Sequence, residues 1–407
     1  MIEGIDMNMY SCKRCLMNST VKDFEMNNGS CNYCDLYERN QLQSSTLLLN
    51  KESVIKVAEK IKDLSKTRKG SYDLIFGLSG GLDSCYALHL IAELGLRPLV
   101  VHMDNGWNSE LAQSNIEKMI DKLGFDLETN VLDWQTYKKL QLAFLASDVI
   151  DIEILYDQAA TSTCYSAAKK HNVSYISGGT NNSSEGFRMP SDWAATNKLD
   201  VRSIKSIWEK YGDGSSISDY PFYSTMDSIT SMSRRKIKWF SVLDYYEYNK
   251  DSAISLLIEK YDFTPYPFKH YESVFTRFYQ GYILPKKFQV DKRLVHLSSL
   301  ILSNQITRKE AEQTIRRNPY PDEALLNSDI RFFMKKIGWD ESQLELYMQR
   351  PGRPYSDFQS EYKLIKLLFN LVTIYYRFRN SELTLSKKSF WIIDKFILRK
   401  FRKIRIK

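Results

Sequence analysis

The chain of 407 residues carries a formal charge of +8, with 43% apolar and 26% charged residues. That balance excludes a disordered, collagen-like or disulfide-dense secreted chain, and the length is enough for two or three domains around a large core. The first ten residues contain no basic stretch followed by an apolar one, and no clean run of about 20 apolar residues occurs, so a cytoplasmic chain is expected.

The first motif is Cys12-Lys13-Arg14-Cys15 with Cys31-Asn32-Tyr33-Cys34, a C-x2-C-x15-C-x2-C spacing. Two turns of this kind offer four thiolates to one tetrahedral Zn²⁺, although an iron–sulfur site uses the same ligands. Four thiolates leave no open position for a substrate, so the metal is expected to be structural and to supply most of the folding energy of a zinc ribbon over residues 1–40. Residues 41–71 read as a charged helical connector with Ile55, Ala58, Ile61 and Leu64 on one face.

A short apolar run, Leu74-Ile75-Phe76, then leads into Ser79-Gly80-Gly81-Leu82-Asp83-Ser84, and helical spacing follows from Cys85 to Ile91. Strand, tight loop and helix in that order aim backbone N–H groups and a helix N-terminus at one point, where a phosphate is stabilised. Gly80 and Gly81 let the phosphate approach the backbone, Ser79 and Ser84 add hydroxyls, and Asp83 can hold a divalent cation. Further strands are predicted at 98–103, 126–131 and 173–177, with helices over 109–123, 140–147 and 157–170 between them. This alternation predicts an α/β fold, a parallel doubly wound sheet over residues 72–185 with ligands at the carboxyl ends of its strands. Asp104, Gly179 and Thr180 fall at those ends and join the loop as nucleotide-contact candidates.

The six-residue loop is similar to the SGGxDS loop of the PP-loop ATP pyrophosphatases, and Gly179-Thr180-Asn181-Asn182-Ser183-Ser184-Glu185 resembles the magnesium-binding loop of ammonia-dependent NAD synthetases. The resemblance implies ATP and Mg²⁺, with Asp83 and Glu185 as the magnesium ligands. From about residue 10 to 355, the four cysteines, SGGLDS, "VHMDNGWNSE" (101–110), "TNVLDW" (129–134), "LQLAFLASDVIDIE" (140–153), "GTNNSSEG" and "KHYESVFTRFYQGYILPKKF" (269–288) together resemble the N-acetyl sugar amidotransferases of surface-polysaccharide and LPS (O-antigen) biosynthesis. That family implies adenylation of the acetamido oxygen of a nucleotide-linked N-acetyl sugar. Its replacement by ammonia-derived nitrogen then gives an acetamidino sugar, AMP and pyrophosphate, with ammonia from a separate glutaminase.

The remaining residues fit a borrowed ammonia supply. With four of six cysteines assigned to metal, Cys85 and Cys164 sit in helical contexts that suit packed residues better than a glutaminase nucleophile. A mainly helical region, 186–360, is expected to hold the sugar nucleotide through Lys269, Arg277 and Arg293, whose charges match a diphosphate or a sugar carboxylate. His270 or Glu272 is the candidate proton acceptor. The competing readings are a PP-loop tRNA-thiolating enzyme and a zinc-ribbon adaptor without catalysis. Residues 361–407 hold 13 Lys or Arg against three acids, which leaves the first 360 residues at −2. The body thus lacks a basic face for nucleic acid, and the tail, with apolar residues between its charges, suits peripheral contact with an anionic membrane.

Overall fold

A computed structural model describes residues 10–45, 51–68, 70–195, 197–267, 269, 271–320 and 322–362. Two compact units divide the chain, Met1–Gln359 and Ser360–Lys407, and the first holds everything that follows. The tail expected at 361–407 lies outside the described residues apart from Glu361 and Tyr362.

The cysteine module is a two-stranded antiparallel ribbon, β1 (Met26–Asn27) with β2 (Ser30–Cys31), followed by α1 (Asn32–Ser45). The connector contributes α2 (Lys51–Thr67), whose Val54, Ala58 and Ile61 are buried at the spacing of one helical face. Then come β3 (Leu74–Gly77), α3 (Leu82–Glu93), β4 (Pro98–Asp104), α4 (Glu110–Leu123) and β5 (Asp126–Val131). They are followed by α5 (Trp134–Ser147), α6 (Ile154–Lys170), β6 (Tyr175–Ser177), the single turn α7 (Asn182–Glu185), α8 (Val201–Tyr211), α9 (Thr225–Ser233) and β7 (Lys238–Trp239).

The main sheet has the order β5-β4-β3-β6-β7, with every neighbouring pair parallel. Its side chains alternate between two cores. Leu74, Phe76 and Val100 pack with the residues of α2 and α3, whereas Ile75, Leu99, Val101 and Ile176 pack against Cys164, Ala167 and Ala168 of α6. A strand apolar on both faces is what a parallel sheet covered on both sides requires. The α/β class expected from the pattern is therefore present, with the four-cysteine module before it and helices after it. The sheet takes its fifth strand from past the expected boundary at 185, and two residues of strand carry too little alternation to be recognised beforehand.

The later helices are α10 (Lys250–Tyr261), α11 (Val274–Phe278), α12 (Arg293–Leu302), α13 (Arg308–Ile315), α14 (Glu323–Ile337) and α15 (Glu341–Gln349). A π-helical segment, Tyr279–Phe288, joins α11 to the α12 region. Thr307 and Glu310 close a reciprocal capping box at the start of α13. The cysteine module is not a separate body. Its Leu16, Met17 and Tyr37 share a core with Phe187, Trp193, Leu294, Leu300 and Ala311. Among the described residues, no helix is long and apolar enough to cross a membrane.

Candidate active site

The loop between β3 and α3 is held from within by its serines. Ser79 and Ser84 hydroxyls lie 3.0 Å apart, Ser84 Oγ donates to the Gly81 carbonyl at 3.0 Å, and the Gly81 amide donates to Ser79 Oγ at 3.3 Å. Gly81 begins α3 without a side-chain cap, so the amides of the first turn face the loop's concavity. Gly80 has φ +79°, and a Cβ there would stand 2.5 Å from the Ala112 carbonyl oxygen, so only glycine fits between this loop and α4. Tyr266 donates to the Gly80 carbonyl at 3.0 Å.

The loop after β6 comes equally close. A Cβ on Gly179 would lie 2.6 Å from the Ser84 amide nitrogen, which pins the two loops together over the sheet's carboxyl edge. Asn181 caps α7 by accepting from the Ser184 amide at 2.7 Å, and Asp244 accepts from the Asn182 amide at 2.7 Å. These bonds aim Glu185 toward α3.

Asp83 and Glu185 meet at one cation, the ammonium of Lys269. Its Nζ is 2.8 Å from Glu185 and 3.4 Å from Asp83, and it also donates to Ser184 Oγ at 3.2 Å. Asp83 further accepts from Ser184 Oγ at 3.2 Å and from the hydroxyl of Tyr248. Burial would raise the Asp83 carboxyl, but Lys269 and Tyr248 together hold it below its ordinary value. Burial works against the Lys269 ammonium, and its two carboxylate partners still raise it above the usual lysine value.

Two cavities adjoin this cluster. One, of 350 Å³, is lined by Ser79, Gly81, Asp83, Ser84, Gly179 and Thr180 together with Leu78, Met103, Cys164 and Trp239. The other, of 1140 Å³, is lined by Arg188, Lys198, Arg277, Gln280, Lys292 and Arg293 among others. Ser184, Glu185, Lys269, Glu272 and His296 belong to the walls of both. Oxygen donors around a point already occupied by positive charge suit a hard divalent ion, so Asp83 and Glu185 fit Mg²⁺. The glycine cradle and the first-turn amides fit the phosphates of ATP.

The structure brings together most of the expected nucleotide contacts and differs at others. Asp104 lines neither cavity, because it accepts from the Gly106 amide at 2.7 Å and from Asn108 at 3.2 Å, closing the turn after β4. Arg277 forms a two-pronged pair with Asp329, both contacts 2.7 Å, and Arg293 pairs with Asp291 while donating to the Ile315 and Arg317 carbonyls at the end of α13. Both border the larger cavity with their forks engaged by protein. His270 lies outside the described residues. Glu272 stands at the joint, its carboxyl carbon 3.4 Å from the position of a Cβ on Gly81, and its backbone carbonyl accepts from the Ser109 amide at 2.9 Å. Tyr248, Asp244 and Tyr266 are not legible as site residues, since each reaches the loops only through tertiary packing.

The four cysteines form the second centre. Their sulfurs all lie within 4.8 Å of one another, with Cys12–Cys34 at 3.7 Å, Cys15–Cys31 at 3.6 Å and Cys31–Cys34 at 3.7 Å. Sulfurs about 2.3 Å from one tetrahedral zinc stand about 3.8 Å apart, so the cage fits a single ion. A [4Fe-4S] cluster gives each sulfur its own iron and needs wider spacing. Cys85 and Cys164 are buried, and burial pushes both thiols up, that of Cys164 to about 12, the reverse of an activated nucleophile.

No curated protein matches the chain. Among solved structures, it is similar to the U34-tRNA thiolase NcsA from Methanococcus maripaludis with its [4Fe-4S] cluster, at 11% identity, TM-score 0.33, over 80% of this chain and 89% of that one. It is also similar to the NH3-dependent NAD synthetase from Campylobacter jejuni subsp. jejuni, at 16% identity, TM-score 0.25, over 51% and 93% of the two chains. The NMN synthetase from Francisella tularensis gives 16% identity and a TM-score of 0.27 over 50% and 84%. Residues 272–371, which begin at Glu272 and include Arg277, Arg293 and His296, match the family model described as "LPS biosynthesis protein WbpG-like, C-terminal domain".

Proposed function

We propose that the chain is an ATP-dependent amidotransferase that converts the acetamido group of a nucleotide-linked N-acetyl sugar into an acetamidino group, releasing AMP and pyrophosphate. The observation that carries this reading is the pair of adjoining cavities, one built on the glycine loop and one bordered by the LPS-biosynthesis segment, which meet at Glu185, Lys269 and Glu272. An amide oxygen is a poor leaving group, and a site that places it beside the α-phosphate allows it to be adenylated first. Mg²⁺, held by Asp83 and Glu185, would supply charge neutralisation for the departing pyrophosphate.

The chain's own residues then have distinct tasks. The amides of the first turn of α3 hold the phosphates, and Leu78 and Met103 supply apolar walls for the base. Ammonia adds to the activated carbon, and Glu272 accepts a proton from the attacking nitrogen as AMP leaves with the former amide oxygen. The ammonia comes from a separate glutaminase, because neither buried thiol suits glutamine hydrolysis. The same two thiols weigh against the tRNA-thiolating alternative, which needs a reactive sulfur beside the nucleotide.

Incubation of UDP-linked N-acetyl sugars with ATP, Mg²⁺ and ammonium tests the reading by mass spectrometry. The product should show the exchange of oxygen for NH, with AMP formed in equal amount. AMP formation dependent on tRNA, with no change in any sugar nucleotide, would overturn it.

A further inference from the structure

Lys269 stands where the cation of the proposed reaction belongs. Its ammonium contacts Glu185 at 2.8 Å, Asp83 at 3.4 Å and Ser184 Oγ at 3.2 Å, and so ties the first turn of α3 to α7. The side chain is only 18% exposed and belongs to the wall of both cavities. Without it, the Asp83 and Glu185 carboxylates would lose the ammonium that both contact, an arrangement that costs stability. A lysine ammonium at that point competes with a divalent ion, because both draw on the same two carboxylates and their charges repel.

We propose that Lys269 is a built-in placeholder: it holds the cation position of the nucleotide-free protein and is displaced when Mg²⁺ enters. This rests on the assignment of Asp83 and Glu185 as the Mg²⁺ ligands. Displacement breaks the tie between α3 and α7 and leaves the ammonium on the side of the larger cavity, the other space its chain already borders. Entry of the metal with the nucleotide therefore comes first, and it adds a positive charge to the acceptor compartment before an anionic acceptor arrives. Lys269 thus acts as a positioning residue that couples the two sites and orders their filling.

Calorimetric titration of Mg²⁺ alone into wild-type protein and Lys269→Gln tests this without turnover. The variant loses the competitor, so its Mg²⁺ affinity should rise on the order of tenfold, a modest figure because the cluster is partly solvated. Its melting temperature without metal should fall and recover with Mg²⁺ by more than the wild type gains. Lys269→Arg keeps the charge and should bind Mg²⁺ no more tightly than wild type, which preserves the test if Lys269→Gln folds poorly. Equal or weaker Mg²⁺ binding in Lys269→Gln, or tighter binding in Lys269→Arg, overturns the placeholder while the function stands. If wild type and Lys269→Gln both fail to bind Mg²⁺ with or without ATP, the metal assignment falls and the placeholder with it.

Discussion

Asp83 and Asp151 show how one residue type serves two ends. Asp83→Asn should abolish AMP formation while leaving the fold intact, since the amide oxygen can still accept from Tyr248 and the amide NH2 can donate to Ser184 Oγ, but the side chain no longer offers a full charge to a metal. Pyrophosphate release at the wild-type rate would contradict this. Asp151 is wholly buried and pairs with Lys198 at 2.6 Å while accepting from the Ala195 amide at 2.7 Å. Burial alone would raise it, and Lys198 and Lys292 pull it below the ordinary 3.8. A depressed carboxyl stabilises the fold above its unfolded value and loses that contribution as pH falls through the folded one. Melting temperature should therefore drop steeply below about pH 4 in the wild type and less steeply in Asp151→Asn, whose baseline is already lower. Parallel curves for the two proteins would show that Asp151 is not the responsible group.

At the level of elements, the glycine loop and the strands around it could be read from the sequence because each is local: an apolar run, a turn that only glycine permits, a helix start. The helices that complete the site could be foreseen only as helices. Nothing in "LDYYEYNK" announces that Tyr248 donates to Asp83, because that contact spans 165 residues and depends on where the short turn before Tyr248 and α10 after it come to rest. Arg277 illustrates the opposite difficulty, since a charge suited to a diphosphate is used to fasten α11 to α14 through Asp329. Arg277→Ala should cost about 3–5 kcal/mol, the penalty for leaving Asp329 buried without its partner, and should do so before any effect on catalysis can be measured. Urea unfolding checks this. A loss of turnover with unchanged stability would return Arg277 to substrate binding.

Over the whole molecule, the four-cysteine cage and the elements around the two cavities are joined by packing. Arg308, at the first position of α13, donates to the carbonyls of Cys12 and Cys15, and the Leu16 amide donates to Ser298 of α12 at 3.1 Å. Cys31→Ser should release the metal and destabilise the fold by several kcal/mol, since binding free energy at such sites is folding free energy. Metal analysis and thermal unfolding measure both effects, and full stability without zinc would contradict them. We also propose that the basic residues of 361–407 bring the protein weakly to anionic membranes. Full-length protein should pellet with anionic vesicles at low salt more than a chain ending at Ser360, and high salt should erase the difference. The link between Leu16 and Ser298 also bears on how the protein is made. The two residues are 282 positions apart, so a ribosome adding about 5–20 residues per second leaves the cysteine knuckle without its packing surface for roughly 15–60 s. During that interval the knuckle has only its metal to fold around. Zinc present during synthesis should therefore raise the soluble yield more than the same zinc added after the chain is complete.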